Sequence, residues 1–249
     1  MHELRNLLRW FRRSVRRPRQ ALDYAIQWIE KILQADRPLQ EITQMKQLSE
    51  QTPTVAIEQE ENNAPRQVFL FSGHMVDAPD RSPARFPPDK EPLAAAAIAK
   101  LLDEVGAGAT DAAISSGACG GDLLFVESCL QRRLRVEVYL PFVEDEFLKE
   151  SINFAGEHWR QKFFWVKERV QGWHIMPHDL GPTPTGEDPF ACVNLWMLDQ
   201  ALAYGTRKVS FICLWDRQAG DGPGGTKHLH DAVVQGSGKA YVLDTTKLW

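Results

Sequence analysis

Two glycine-rich segments carry the chemistry that is easiest to read in this chain. In SSGACGGD, Gly117, Gly120 and Gly121 lie close together and Asp122 follows. In GDGPGGT, Gly220, Gly222, Gly224 and Gly225 precede Thr226. Glycine removes the Cβ that would keep an anion away from backbone N–H groups. A helix opening just after the glycines aims its partial positive charge at the same place. Phosphate binding is the chemistry this pattern points to. Neither segment is the dinucleotide G-x-G-x-x-G fingerprint, and neither is a P-loop, because GK[ST] is absent. Asp122 can cap its helix, and its charge would oppose a phosphate placed against it. Thr226 can cap the following helix or bond an anionic oxygen.

A third segment, SGHMVDAPDRSPARFPPDKEP, is unusually long for a strand-to-helix connection, which ordinarily takes a few residues. Gly73 would let a ligand approach the backbone, while His74, Asp77, Arg81 and Arg85 can donate or accept. Two carboxylates are candidates for catalysis: Glu127, on the helix after the first glycine segment, and Asp221 inside the second. His228 and His230 stand two apart, on different faces of a helix, so no metal site is expected there. His174 and His178 flank a strand end and read as ordinary polar residues. Ser115-Ser116-Gly117 is not a G-x-S-x-G elbow.

Positioning these groups takes an alternating series of elements from Arg66 onward. RQVFLFSG, DAAISSG, VEVYLPF, GWHIMPHD, KVSFICLW and KAYVLD read as strands, most of them apolar through their length. Between them lie helical patterns: PLAAAAIAKLLDEVG, a helix from Asp122 to Arg132, one or two helices between Glu144 and Lys167, DPFACVNLWMLDQALAYG, and TKHLHDAVVQG. Apolar strands alternating with helices require a parallel sheet covered on both faces. The expected fold is therefore α/β: Rossmann-like, doubly wound, with a mainly parallel sheet. Ligands of such sheets bind beyond the carboxyl ends of the strands, where all three segments fall.

Ahead of this unit, residues 1–48 read as a helical N-terminal extension, and residues 49–66 (polar, acidic and without period) as a linker. Seven arginines and a single acid fall in the first twenty residues, interspersed with Leu4, Leu7, Leu8, Trp10 and Phe11. This helix could pack on a protein partner or lie on an anionic membrane surface. The whole chain of 249 residues is mildly acidic, with net charge -4, which argues against a dedicated, sequence-specific nucleic-acid surface. Four scattered cysteines without a CxxC pair read as core residues of a reducing compartment. No apolar run approaches the ~18 residues of a membrane span, and no signal-peptide pattern is evident, so a cytoplasmic protein is expected, with peripheral membrane contact as an option.

Residues 67–244 resemble the SLOG superfamily of Rossmann-like domains. That superfamily includes the DNA-processing protein A family, the lonely-guy phosphoribohydrolases that activate cytokinins, and many prokaryotic sensor domains for nucleotide-derived ligands. The carriers are VFLFSGHMVDAPDR, ISSGACGGDLLF, and DGPGGT after VSFICLW. The look is closest to the sensor-like members. The phosphoribohydrolases carry PGGxGTxxE, whose glutamate helps cleave the N-glycosidic bond. Here the text is PGGTKHLHD, and Leu229 stands three positions after Thr226.

The resemblance implies a domain that binds or senses a nucleotide or nucleotide derivative in a regulatory or signalling role, with no cofactor required. Backbone N–H groups around Gly120, Gly121, Gly224 and Gly225 would hold phosphate, Thr226 would add a hydroxyl, and Arg81 or Arg85 would close over the ligand. The alternatives are a nucleotide N-glycosidase or phosphoribohydrolase using Glu127 or Asp221, and an adaptor recruited by its basic N-terminal helix. Association into a homo-oligomer is left open.

Overall fold

The computed structural model describes residues 64–183, 185–219, 224–235 and 238–249. The helical extension 1–48, nearly all of the 49–66 linker, and Gly220, Asp221 and Gly222 lie outside the described residues. The α/β unit spans Pro65–Trp249. Arg66 already belongs to it: its N–H donates to Thr110 O (2.9 Å) and its guanidinium pairs with Asp111 at 2.7 Å.

Six strands form one parallel sheet: β1 (Val68–Gly73), β2 (Ala112–Ser115), β3 (Arg135–Leu140), β4 (Gly172–Ile175), β5 (Val209–Trp215) and β6 (Lys239–Asp244). Their order is β4-β3-β2-β1-β5-β6. The fold is Rossmann-like, as the alternation of apolar strands and helices requires. Successive strands are added on one side of β1 up to β4 and on its other side from β5, and the parallel β1–β5 register pairs Val68 with Val209 and Gly73 with Leu214.

Alternate strand residues feed two cores. Phe69, Phe71, Val136, Val138, Ile212 and Leu214 face one layer, built from α1 (Glu91–Glu104), α2 (Gly121–Gln131), α3 (Glu144–Ser151) and α4 (Glu157–Lys167). Val68, Leu70, Ile114, Tyr139, Phe211 and Cys213 face the other, built from α5 (Met176–Asp179), α6 (Pro189–Leu202) and α7 (Thr226–Gln235). Val68, Phe69, Leu70 and Phe71 are all fully buried, which is why β1 reads as a continuous apolar run rather than an alternating one. The helices after β1 and after β5 thus lie on opposite faces, and a crevice opens between them at the strands' carboxyl ends.

Three local features position that crevice. The ring of Phe125 stacks on Phe71 (centroids 4.4 Å, 10°), locking α2 to the end of β1. Asp188 caps α6 by accepting from Ala191 N–H at 2.7 Å, with Pro189 at the first helical position. Leu229 and Val233, one turn apart, seat α7 on the sheet. Two short α-helices were not anticipated. The second half of GWHIMPHD is α5, started where Asp179 accepts from Ile175 N–H (2.8 Å), and a last turn, α8 (Thr245–Leu248), is capped by Asp244.

Candidate functional site

A cleft of about 580 Å³ occupies the crevice. Its rim comes from the segment after β1 (Gly73 to Arg85), its floor from the ends of β1 and β5, and one wall from α6. The start of α7, Gly224 to Lys227, closes the far side. Of the residues singled out in the sequence, Gly73, His74, Asp77, Arg81, Arg85, Asp122, Gly224, Gly225 and Thr226 line this space.

The long segment after β1 is folded by one carboxylate. Asp77 Oδ2 accepts from the N–H groups of Arg85 (2.8 Å) and Phe86 (2.9 Å), while Oδ1 lies 3.4 Å from Arg81 Nε. Asp77 N–H returns a bond to Phe86 O at 2.8 Å. Phe86, fully buried, stacks on Trp249 (5.4 Å) and anchors the far end. The two arginines are thereby held at the cleft mouth on a closed loop rather than on a loose excursion.

A second carboxylate, not flagged by the sequence reading, joins this loop to β5. Asp216 Oδ1 lies 3.1 Å from His74 Nε2 and accepts from Gln218 N–H (2.9 Å), and Oδ2 lies 3.6 Å from Arg85 Nε. The Asp216 N–H also meets His74 Nε2 at 3.1 Å, and Arg85 donates to Ala219 O at 2.9 Å. Burial lowers the His74 pKa; Asp216 opposes this, and the Arg85 and Arg81 charges add to the lowering. The imidazole is therefore neutral at pH 7. A polar residue directly after an apolar strand is the signal that could have found Asp216, since that is where sites of parallel sheets gather.

The first glycine segment behaves otherwise than expected. Gly120, at φ 113°, lies against the backbone of the segment after β1, where an added Cβ would meet His74 O at 2.6 Å and Val76 N at 2.7 Å. Gly121 N–H donates to His74 O (2.9 Å), and Val76 N–H to Cys119 O (3.1 Å), closing a bridge between the two loops. Asp122, 6% exposed, accepts from Gly73 N–H (3.1 Å) and from Ala118 N–H. Burial pushes its carboxyl up to about 7, against the pull of the two donors. So Gly121 N–H is already engaged by protein, and a carboxylate sits where a phosphate would have to go. Gly117 packs near Val138 and Leu140 on β3, and neither it nor Gly120 or Gly121 lines the cleft.

The second segment does open on the cleft. Thr226, 7% exposed, begins α7, and its hydroxyl accepts from Ser72 Oγ at 3.2 Å, tying the helix to the end of β1. Gly224 O accepts from the buried Asn194 Nδ2 (2.6 Å), and its Cα approaches the start of α6 so closely that a Cβ would meet Phe190, Asp188 and Ala191 within 2.5 Å. Asn194 and the cleft-lining Phe190, Val193, Met197 and Trp215 were read only as helix or core residues; their role depends on α6 lying across the crevice. Helix-start N–H groups have no partner inside the helix, and the first residues of α7 line the same cleft as Arg85 and this apolar wall.

Glu127 is removed from the chemistry: it lies outside the cleft, on α2, and pairs with Lys162 of α4 at 2.5 Å. His174 also lies elsewhere, stacked on Tyr139 (4.4 Å) beside the buried Glu137. Among the described residues no helix is long and apolar enough to cross a membrane. The four cysteines are free thiols, three of them buried. No family model matches the chain, and no curated protein matches it either.

Proposed function

We propose that the cleft binds a nucleotide or a nucleotide-derived anion, in a regulatory or signalling role, and that the α/β unit is a sensor-like member of the SLOG superfamily. The observation that carries the reading is the cleft's polarity. The same cleft is lined by the start of α7 with Arg81 and Arg85 and by the aromatic and aliphatic side chains of Phe190, Val193, Met197 and Trp215. A phosphate suits the first group and a flat base suits the second. The volume of about 580 Å³ is in the range of sites for ligands of this size. Phosphate contact would come from the second glycine segment, with Gly225 and Thr226 at its core, rather than from Gly120 and Gly121.

Leu229 supports binding over glycosidic cleavage. It stands where the resembled hydrolases place a glutamate, and its side chain is fully buried in the core beneath α7. With Glu127 tied to Lys162, no described carboxylate of the expected pair is available for N-glycoside hydrolysis. Thermal unfolding of the full chain with a panel of nucleosides and nucleoside phosphates tests the reading. A phosphorylated ligand at ~100 times its Kd should add about 2.7 kcal/mol of stability, and the bare nucleoside less. Absence of a shift with every phosphorylated nucleoside overturns it.

A further inference from the structure

One nitrogen of His74 lies between a donor and an acceptor of the same residue. Asp216 N–H donates to His74 Nε2 at 3.1 Å, and Asp216 Oδ1 lies 3.1 Å from that same nitrogen. The neutral ring therefore carries its proton on Nδ1, and Nε2 is an acceptor that forms no bond with the carboxylate beside it. A protonated ring has an N–H at Nε2 as well, and Oδ1, held by the Gln218 N–H (2.9 Å), already stands at hydrogen-bond distance from it. The other oxygen, Oδ2, lies 3.6 Å from Arg85 Nε, a contact between charges that is too long for a hydrogen bond. Asp216 is thus shared between a permanent cation and a ring that can become one.

We propose that an oxyanion entering the cleft draws Arg85 from Asp216, and that His74 takes up a proton on Nε2 as it does so. The proposal rests on the reading of the cleft as a nucleotide-phosphate site and adds regulation by pH to it. His74 and Arg85 both line the cleft and meet at Asp216, so an anion on the guanidinium acts on the ring through the carboxylate they share. In the step, a proton from solvent adds to the Nε2 lone pair and imidazole becomes imidazolium. The new N–H donates to Oδ1, and the Asp216 N–H gives up its acceptor. No other bond forms or breaks.

The charges around His74 set the direction of the coupling. Burial lowers its pKa most, Asp216 opposes this, and the Arg85 and Arg81 charges lower it further. An anion bound to the guanidinium groups cancels their effect and leaves that of Asp216 in place, so binding raises the ring's pKa. Burial changes little, because the side chain is already only 10% exposed. Asp77 is committed to Arg81 and to the N–H groups of Arg85 and Phe86. Asp122 of α2, Asp188 at the start of α6 and Lys227 of α7 line the same cleft. Asp122 is the competitor for the proton, since burial pushes its carboxyl up to about 7. Affinity is therefore highest below the free ring's pKa, which lies under the ordinary 6.5. It falls as pH rises toward the pKa of the bound ring, by at most about tenfold per pH unit, and is flat above it.

Calorimetric titration of the full chain at pH 5.5, 6.5 and 7.5, in buffers of different ionisation enthalpy, counts the protons taken up per ligand bound. Sulfate, cyclic AMP and NAD are the probes, because their own charges are constant across this range. The native chain should take up about half a proton or more at the maximum, and its Kd should weaken about fivefold or more from pH 5.5 to 7.5. His74→Gln keeps an acceptor for the Asp216 N–H, and should show almost no uptake and one Kd at all three pH values. Asp216→Asn, which weakens the acceptor for a protonated ring, should take up less than the native chain; where His74→Gln does not fold, it carries the comparison. Binding with one Kd at every pH and no uptake overturns the coupling and leaves the nucleotide reading standing. Uptake that persists in His74→Gln, or that vanishes in Asp122→Asn, assigns the proton to Asp122 and also overturns it. Stabilisation by nucleoside phosphates while none of the three probes binds overturns the coupling alone. Neither stabilisation nor binding overturns both.

Discussion

At the start of α2 the glycines lie against protein backbone, whereas at the start of α7 they border a cleft. Gly120 and Gly121 fit under His74, Met75 and Val76, and the N–H groups of Gly73 and Ala118 converge on the protein's own Asp122. Gly224 also makes a close approach, to the beginning of α6, but Gly225, Thr226 and Lys227 then turn toward open space. Glycine enrichment between a strand and a helix thus reports that something comes close to the backbone. What comes close is decided by the neighbours: a second loop and a carboxylate in the first case, a cavity in the second.

Adding one methyl group at each site tests the contrast most forcefully. Gly120→Ala must clear three backbone atoms and adopt a φ of 113°, so overpacking and strain act together. Urea unfolding should show a loss of about 4 kcal/mol. Gly224→Ala meets the side chains of Phe190 and Asp188 and the Ala191 N–H, and should cost about 2 kcal/mol. The ligand response should divide the other way. Stabilisation by phosphorylated nucleosides should survive in whatever Gly120→Ala protein folds, and be lost in Gly224→Ala. Equal losses of stability with equal ligand responses would erase the distinction between the two loops.

The carboxylate inside the first loop gives the next largest effect, and its sign is opposite to that of a salt-bridged acid. Asp122 has a folded pKa of about 7 against an ordinary value of 3.8, so the unfolded chain loses this proton first as pH rises. Its contribution is fully present below pH 3.8, declines across the window up to about 7, and is flat above that. The decline is at most about 1.4 kcal/mol per pH unit. Asp122→Asn removes the titration while keeping an oxygen for the Gly73 N–H. The stability of the native protein minus that of Asp122→Asn should therefore fall between pH 4.5 and 7.5, and urea midpoints at several pH values measure it. A constant difference would mean that Asp122 is charged throughout and that the first loop carries an ordinary buried anion.

The sheet was legible because its code is local. Runs such as VFLF and VSFICLW read as strands buried on both faces, and each is followed by a glycine-bearing loop and then a helical period. The helices that clamp the site were legible for the same reason, down to Pro189 and Asp188 opening α6. What could not be read was which groups meet. Asp216 contacts His74 only because β1 and β5 pair with a register that brings Gly73 beside Leu214. Asn194 reaches Gly224 only because α6 crosses the crevice. Asp122 and Glu127 sit on one helix, yet Asp122 lines the cleft while Glu127 pairs with Lys162 on α4. Spacing shows that two residues share a helix, but packing decides which of them faces a site.

The smallest expected effect comes from the tie in the second loop. Thr226 accepts from Ser72 and so joins α7 to β1, much as Asp122 joins α2 to β1 through the Gly73 N–H. Both ties hold a helix to the end of the same strand, and they differ in that one partner is a hydroxyl and the other a carboxyl. Thr226→Val keeps the shape and removes the acceptor, leaving the Ser72 hydroxyl to find another partner. Its unfolding free energy should fall by about 1 kcal/mol. Because no ionisable group forms this tie, the deficit should be the same at pH 5 and pH 8, where the Asp122→Asn difference changes. Thr226 also borders the cleft, so the variant should bind phosphorylated nucleosides about fivefold more weakly, the equivalent of about 1 kcal/mol. A deficit in stability with unchanged ligand affinity would confine Thr226 to holding α7 in place, and would move the phosphate contact to backbone N–H groups alone.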